Sequence, residues 1–263
     1  MRNRPPSLVV ALAALCGCSC VALAQTKQPP KASAAAVSAH VPDLSGVWMQ
    51  EHGRPAKVRD RYWIYEFSLD EPPMTPWAQE KYKATKASFG PHPVAIEDTN
   101  DPVYQACVPP GLPRIYLHPF PMQIAQIRGE VIMLFEYDSI RHQIFTDGRQ
   151  HDETLGPLWM GDSVGHWEGD TLVADTVNFN DKTWLDRMGH PHSDALHLIE
   201  RMRRVDHNHL NIDMTIDDPK AYTKPWIAHM EFTLEPKWTV GEYFCEDQET
   251  FRTFDRNAAR PQK

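Results

Sequence analysis

The amino-acid sequence predicts a mainly β fold, a closed or nearly closed antiparallel barrel with one helix packed against it. Apolar side chains recur at every second position in EVIMLFEY, HLNIDMTI and WIAHMEFTL, which is the period of a half-buried strand. Turn signals such as Arg128-Gly129 and Asp147-Gly148 separate these segments, and no βαβ spacing is present. A meander of about nine or ten strands leaves two open edges, which closure into a barrel removes. A two-sheet β-sandwich is the alternative.

The predicted helix lies in the segment MTPWAQEKYKATKASFG. Thr75 is suited to cap it, Pro76 to its first position and Gly90 to its exit. The barrel itself is predicted to form a single domain over residues 43–250, followed by a C-terminal tail at 251–263.

The first 24 residues are predicted to be a signal peptide. Two arginines precede an apolar run, and Ala22-Leu23-Ala24 is a small-x-small cleavage pattern before Gln25. The expected location is therefore periplasmic or secreted, with a lipid-anchored form through Cys18 as the alternative. Residues 25–42, rich in Ala, Pro, Lys and Ser, are predicted to be a disordered linker.

Charge and cysteine content narrow the class of protein further. The formal net charge is −8 and there is no basic stripe, so neither nucleic acid nor an anionic membrane is an expected partner, and no membrane span is predicted. Removal of the signal peptide leaves two of the five cysteines, Cys107 and Cys245. In an oxidising compartment these are expected to form a disulfide, the alternative being two buried thiols.

Two sets of residues resemble known families. Leu44-Ser45-Gly46-Val47-Trp48 resembles the G-x-W that begins the first strand of lipocalin-type barrels. The blocks MTPWAQEKY, IFTDGRQH, WMGDSVGHWEGDTLVADT, TWLD, HSDALHLIERMRRVD, TIDDPKAYTKPW and EYFCE resemble a family of secreted bacterial β-rich proteins of unassigned activity. The second resemblance implies export and a β-rich fold, and it supplies no catalytic residues, so the site has to be predicted from side-chain chemistry.

Histidines are concentrated in the second half of the chain, above all in GHPHSDALHLIER at 189–201. Histidine both changes charge near neutral pH and is the commonest metal ligand. Gly189 and Pro191 are expected to keep His192 in a loop, whereas His197 is expected to lie in a strand. We expect His192 and His197 to face a common cavity at the barrel mouth, with Asp194 or Asp162 orienting one imidazole.

Two alternatives remain open for this segment. His192 and His197 could bind a divalent metal together with Asp194 or Glu200. Since Leu196, Leu198, Glu200 and Met202 share one face of the strand, His197 points outward if that face fills the lumen, and Glu200 is then the inward acid.

Further candidate residues lie before and after this segment. Arg149 can present a planar fork to an anion, with Asp147 orienting it; the alternative is a solvated turn. Asp162, just before a strand, is expected at the rim of the barrel. Trp159 and Trp184 are expected to wall an apolar or aromatic ligand, unless they are ordinary core residues.

These residues predict an exported small-molecule enzyme using cofactor-free acid–base catalysis: a lyase, isomerase or hydrolase acting on a partly apolar or aromatic substrate. His192 or His197 would be the base, Arg149 would hold an anionic group, and Glu200 would contact the substrate. No G-x-S-x-G elbow or glycine-rich phosphate loop is present in the sequence. A lipocalin-like carrier without catalysis is the main alternative, and a structural protein of the cell envelope is a third.

Overall fold

A computed structural model describes residues 41–50, 67–68 and 70–245. All of the described residues belong to one compact unit. The predicted signal peptide, most of the predicted linker and the predicted C-terminal tail lie outside the described residues. Among the described residues, no helix is long and apolar enough to cross a membrane.

Nine strands form a closed barrel in which each strand pairs with its neighbours in the sequence and β1 pairs with β9. The strands are β1 (Gly46–Gln50), β2 (Met122–Ile127), β3 (Glu130–Phe135), β4 (Arg141–Phe145), β5 (Asp162–Glu168), β6 (Thr171–Val177), β7 (His197–Arg204), β8 (His209–Asp217) and β9 (Trp226–Leu234). The predicted closed barrel is confirmed. Closure gives both edge strands a partner.

One pairing departs from the predicted antiparallel meander. Strand β4 pairs with β5 in parallel, through Ile144↔Ser163 and Phe145↔Val164, so the barrel is mixed. Parallel neighbours need a connection that returns the chain to the same end of the sheet, and residues 146–161 provide it.

In the described part of the chain the helices are few and lie between β1 and β2. Helix α1 (Pro76–Lys83) begins as predicted, with the Thr75 hydroxyl accepting from the Ala78 amide at 3.3 Å, but it ends at Lys83 with Ala84 as its C-cap, before Gly90. The structure also contains α2 (Pro102–Ala106) and a 3-10 helix (Arg114–Leu117), which were not predicted. Both are too short to show a helical period in the sequence.

The lumen is filled by alternate side chains of the strands. On β7 the buried positions are Leu198, Glu200 and Met202, while His197 and Arg201 lie on the other face. The ring of Tyr116, from the 3-10 helix, packs edge-on against Phe135 and Phe232 at centroid distances of 5.5 and 6.0 Å. The apolar face of β7 therefore fills the barrel, which is the second of the two orientations considered for this strand.

The predicted disulfide between Cys107 and Cys245 is confirmed. Their Cα atoms lie 5.5 Å apart, within the usual range for a disulfide. The bond joins the end of α2 to the segment that follows β9.

Candidate functional site

A cavity of about 250 Å³ lies beside α1. Its walls come from α1 and the turn after it, from residues 100 and 102, and from the loop between β6 and β7 (residues 178–196, called here the β6–β7 loop). Two of the predicted site residues, His192 and Trp184, line it. The β6–β7 loop therefore supplies the imidazole and one aromatic wall of the same space.

The β6–β7 loop folds back on itself so that two arms meet at the cavity. Trp184 and Pro191 form an antiparallel bridge, and the Leu185 amide donates to the His190 carbonyl at 2.7 Å. At the tip of this turn, Oδ1 of Asp186 accepts three backbone N–H groups, at 2.9, 3.0 and 3.1 Å. Carboxylates that satisfy several consecutive amides fix the local backbone, so the arms carrying Thr183 and His192 have a defined separation.

His190 fastens this loop to the chain around α1. Its Nδ1 lies 2.5 Å from Oδ2 of Asp186 and its Nε2 lies 3.1 Å from Oε1 of Glu71, while its ring stacks on Tyr82 with a centroid distance of 4.4 Å. Burial disfavours the charged imidazolium, but the two carboxylates outweigh burial and raise the pKa of His190 to about 10. His190 is therefore a buried cation at neutral pH that joins two walls of the cavity.

His192, two residues further on, is held as a neutral imidazole. Its Nδ1 lies 3.2 Å from the carbonyl oxygen of Ser193, which can only accept, so Nδ1 carries the hydrogen. Its Nε2 is then without hydrogen and lies 3.2 Å from Oγ1 of Thr183, whose hydroxyl can donate to it. Burial lowers the pKa of His192, with an opposing contribution from the Ser193 hydrogen bond. The neutral form with a basic Nε2 is the expected state at pH 7.

A buried carboxylate positions the group that orients His192. Oδ1 and Oδ2 of Asp218 accept from the hydroxyl and the amide of Ser193 at 2.7 and 2.5 Å, and Asp218 is 1% exposed. The orienting chain is therefore Asp218, Ser193 and His192, rather than the predicted Asp194 or Asp162.

Charged and aromatic side chains surround the opening of the cavity. Lys81 and Lys182 line it together with Asp181. The Lys81 ammonium lies 5.2 Å from the Trp77 ring centroid, and that of Lys182 lies 5.8 Å from the ring of Trp159. Trp159 thus lies next to a lining residue but does not itself line the cavity.

His197 and Asp162 do not reach this cavity, so the expected convergence of His192 and His197 is wrong. They belong to a second cluster on the outer face of the barrel, in which Oδ2 of Asp162 lies 3.0 Å from Nδ1 of His151. Oδ1 of Asp175 lies 3.2 Å from Nε2 of His151 and 2.9 Å from Nε2 of His197. Because the leucine face of β7 fills the lumen, His197 is turned outward. Asp162 does orient an imidazole, but that of His151.

Asp194, Arg149 and Asp147 are exposed. The Asp194 side chain is 67% exposed and lies 3.6 Å from the Lys220 ammonium. Arg149 makes its bidentate contact with Asp147, at 2.7 and 2.9 Å, and stacks on Phe145 with its Cζ 3.7 Å from the ring centroid. The guanidinium fork is thus occupied by its own turn, which matches the alternative of a solvated turn.

Glu200 lies in the lumen, inside a small polar cluster. The Tyr116 hydroxyl donates to its Oε1 at 2.6 Å, and its Oε2 lies 3.7 Å from Nε2 of His142. The same Nε2 lies 3.0 Å from Oγ of Ser163, which lies 2.9 Å from the hydroxyl of Thr176. Burial raises the pKa of Glu200 to about 8 and lowers that of His142 to about 3, so both groups are neutral near pH 6.

The alternative metal site is not assembled. His192 lies in the loop cavity, His197 on the outer face, Asp194 on an exposed turn and Glu200 in the lumen. Across the described ranges, 41–50, 67–68 and 70–245, no group of three or more His, Cys, Asp or Glu side chains has an arrangement that could hold a metal ion.

Several residues of these clusters were missed in the sequence. His142 was recoverable, because the period of β4 places it on the same face as Ile144. Thr183 and Asp218 carry no such signal, since each meets His192 or Ser193 only through the folding of loops. His151 stands next to a predicted turn but received no role.

No protein-family model matches this chain, and no curated protein shows significant similarity to it. The function of the cavity therefore has to follow from its own residues.

Proposed function

We propose that this protein is an exported small-molecule enzyme that works by acid–base catalysis in the cavity beside α1, with His192 as the base. One observation carries the proposal: a buried, neutral imidazole on the cavity wall with Nδ1–H committed to the Ser193 carbonyl and Nε2 held 3.2 Å from the Thr183 hydroxyl. A general base needs a fixed tautomer and a lone pair that the substrate can reach, so the Thr183 hydroxyl has to give up its hydrogen bond to Nε2 when the substrate binds. The reaction class is that of a lyase, isomerase or hydrolase.

The geometry supports the following sequence of proton movements. In the resting state the Thr183 hydroxyl donates to Nε2 of His192. A bound substrate displaces this hydrogen bond and presents a C–H or O–H group, or a water molecule, to Nε2, which takes the proton. The negative charges of Asp218 and Asp181 favour the resulting imidazolium, since both act to raise the pKa of His192. The Thr183 hydroxyl is then free to donate to the oxygen on which negative charge develops, and Nε2 returns the proton to the product.

Export is part of the proposal. It is supported by the sequence pattern of the first 24 residues and by the Cys107–Cys245 disulfide, because disulfides persist mainly in oxidising compartments. The resemblance of the sequence blocks to a family of secreted bacterial proteins is consistent with the same location.

A lipocalin-like carrier remains the alternative. It would hold its ligand without changing it, and His192 would serve only to bind. The enzyme is favoured because burying a polar imidazole beside a cavity costs folding free energy. Histidines with a pKa shifted by burial are typical of catalytic sites.

The experiment is a comparison of metabolite profiles. Extract from cells of the producing organism is incubated with wild-type protein, with His192→Gln and with His197→Gln, and small molecules are followed by mass spectrometry. Wild type and His197→Gln should convert the same compound, and His192→Gln should be slower by about 10²-fold or more. Equal conversion by His192→Gln would refute the role of this histidine. Depletion of a compound that is recovered unchanged on denaturing the protein would indicate a carrier.

A further inference from the structure

We propose that the ligand of this cavity is a small organic anion with a flat apolar body, of the chemical class of the aromatic carboxylates. This inference rests on the proposed function of the site and adds the class of molecule that it takes.

The anionic group follows from the cations at the opening. Lys81 comes from α1 and Lys182 from the β6–β7 loop, so two ammonium groups from different segments line the same space. Among the described residues, neither ammonium group makes an ion pair, and each lies near an indole ring. Lys83, on the same helix, is instead paired with Glu80 at 2.9 Å. With Asp181 as the acid on the wall, the lining carries a net positive charge that favours an anion.

The flat body follows from the apolar part of the wall. Trp77, Trp184 and Pro191 line the cavity and supply apolar and aromatic surface against which an aromatic ring can pack. A volume of about 250 Å³ lies just below the range of about 300–1,000 Å³ typical of ligand pockets. Since a water molecule takes about 30 Å³, this is the space of about eight waters, which suits a ligand of a single ring.

The depth of the groups sets the orientation of the ligand. Lys81 and Lys182 are exposed, whereas Thr183 and His192 are each only 6% exposed. An anion that meets the lysines at the opening therefore directs its other end toward Nε2 of His192. The proton that His192 takes is expected to lie on the part of the substrate away from the anionic group.

The test measures binding and needs no turnover. Benzoate, benzyl alcohol and cyclohexanecarboxylate are titrated separately into the full-length protein at low ionic strength, and binding is followed by ligand-observed NMR. Benzoate is expected to bind about fivefold or more tightly than benzyl alcohol, because two exposed ion pairs each add a small increment. It is also expected to bind a few-fold more tightly than cyclohexanecarboxylate, through ring stacking. Added salt should reduce the preference for the anion.

Variants assign the preference to the residues. The double variant Lys81→Gln/Lys182→Gln should lose most of the preference for benzoate and bind benzyl alcohol within twofold of wild type. Lys83→Gln, on the same helix, is the matched control and should bind all three probes as wild type does. His192→Gln should still bind benzoate, since the base lies at the far end of the ligand.

Any other result of the binding test contradicts a specific part of the proposal. Equal binding of benzoate and benzyl alcohol, or equal effects of Lys83→Gln and the double variant, would overturn the anionic class. Equal binding of benzoate and cyclohexanecarboxylate would overturn the flat body. No binding of any probe would overturn the ligand class as a whole. If benzoate binds in the expected pattern but no compound is ever converted, the ligand class stands and the enzymatic function fails.

Discussion

The carboxyl of Glu200 and the imidazole of His142 face each other inside the barrel, with Oε2 of Glu200 3.7 Å from Nε2 of His142 and both side chains at most 1% exposed. Burial shifts the pKa of the acid upward to about 8 and that of the base downward to about 3. The two groups therefore make the stability of the barrel depend on pH in opposite directions, in two different windows.

We predict that Glu200→Gln changes the pH dependence of stability above pH 4.5. Glu200 ionises near 4.5 in the unfolded chain and near 8 in the folded one, so its protonated form stabilises the fold below about pH 4.5 and this contribution is lost as the pH rises to 8. Glutamine keeps the acceptor for Tyr116 and does not ionise. Relative to wild type, Glu200→Gln should gain up to about 1.4 kcal/mol per pH unit through this window, measured as the free energy of urea unfolding.

The opposite slope is predicted for His142. Its pKa falls from an ordinary value of 6.5 to about 3, so the neutral imidazole stabilises the fold above pH 6.5 and the contribution is lost as the pH falls toward 3. His142→Gln should therefore gain stability relative to wild type as the solution is acidified from pH 6.5 to pH 4. If the free energy of unfolding of His142→Gln differed from that of wild type by the same amount at every pH, the assignment would be contradicted.

The strand that carries Glu200 shows what the sequence could and could not predict. Its period of two correctly placed Leu198, Glu200 and Met202 on one face and His197 on the other. Which face points into the lumen depends on the neighbouring strands, so the expectation that His197 points into the cavity was wrong. The parallel step between β4 and β5 was not predictable either, because residues 146–161 carry no regular pattern.

The cavity shows the same limit. His192 and Trp184 were predicted because residue types alone pointed to them. Their partners Thr183 and Asp218 were not, because those contacts arise only when the β6–β7 loop folds back on itself and meets the segment after β8. Local pattern therefore located the loop but not the atoms that orient its histidine.

We predict that kcat/KM falls at low pH because His192 becomes protonated. The base must be neutral, and burial lowers its pKa below the ordinary 6.5, so kcat/KM should fall only at a pH below 6.5. The profile is measured on the compound identified by metabolite profiling. An acidic limb above pH 6.5, or one retained unchanged in His192→Gln, would contradict the assignment.

Thr183 should matter through its hydroxyl. Thr183→Ser keeps the donor and should retain most of the activity, whereas Thr183→Val removes it with little change of volume. If Thr183 donates to developing negative charge, the valine variant should lose about 10²-fold in kcat. Thermal unfolding of both variants provides the control, and equal activity of the two would remove Thr183 from the mechanism.

The disulfide should contribute strongly to stability. Cys107 and Cys245 are 138 residues apart, and in the chain-entropy account a bond that closes so long a loop is worth about 3–5 kcal/mol. The double variant Cys107→Ser/Cys245→Ser should unfold at a lower temperature than wild type by several degrees. Wild-type protein treated with reductant should approach the midpoint of the variant. Titration of two free thiols in the native, untreated protein would contradict the pairing.

The buried cation at His190 should hold the cavity together, and its effect should depend on pH. Its pKa is about 10 in the folded state and 6.5 unfolded, so the stabilisation is fully present below pH 6.5 and is lost as the pH rises to 10. His190→Gln leaves Asp186 buried without its cation and should cost about 3–5 kcal/mol at pH 6. The difference from wild type should shrink as the pH rises to 10, because most of the stabilisation linked to the charge is lost by the point at which half of His190 is neutral. Glu71→Gln removes a carboxylate that is 61% exposed and should therefore lower the free energy of unfolding by less than His190→Gln does.

Since His190 joins α1 to the β6–β7 loop, His190→Gln should also weaken benzoate binding. His209→Gln removes an exposed histidine paired with Asp206 and is the control, which should change neither the stability nor the binding of benzoate. A stability loss in His190→Gln that is constant from pH 6 to pH 10 would show that its contribution comes from packing on Tyr82 and not from charge.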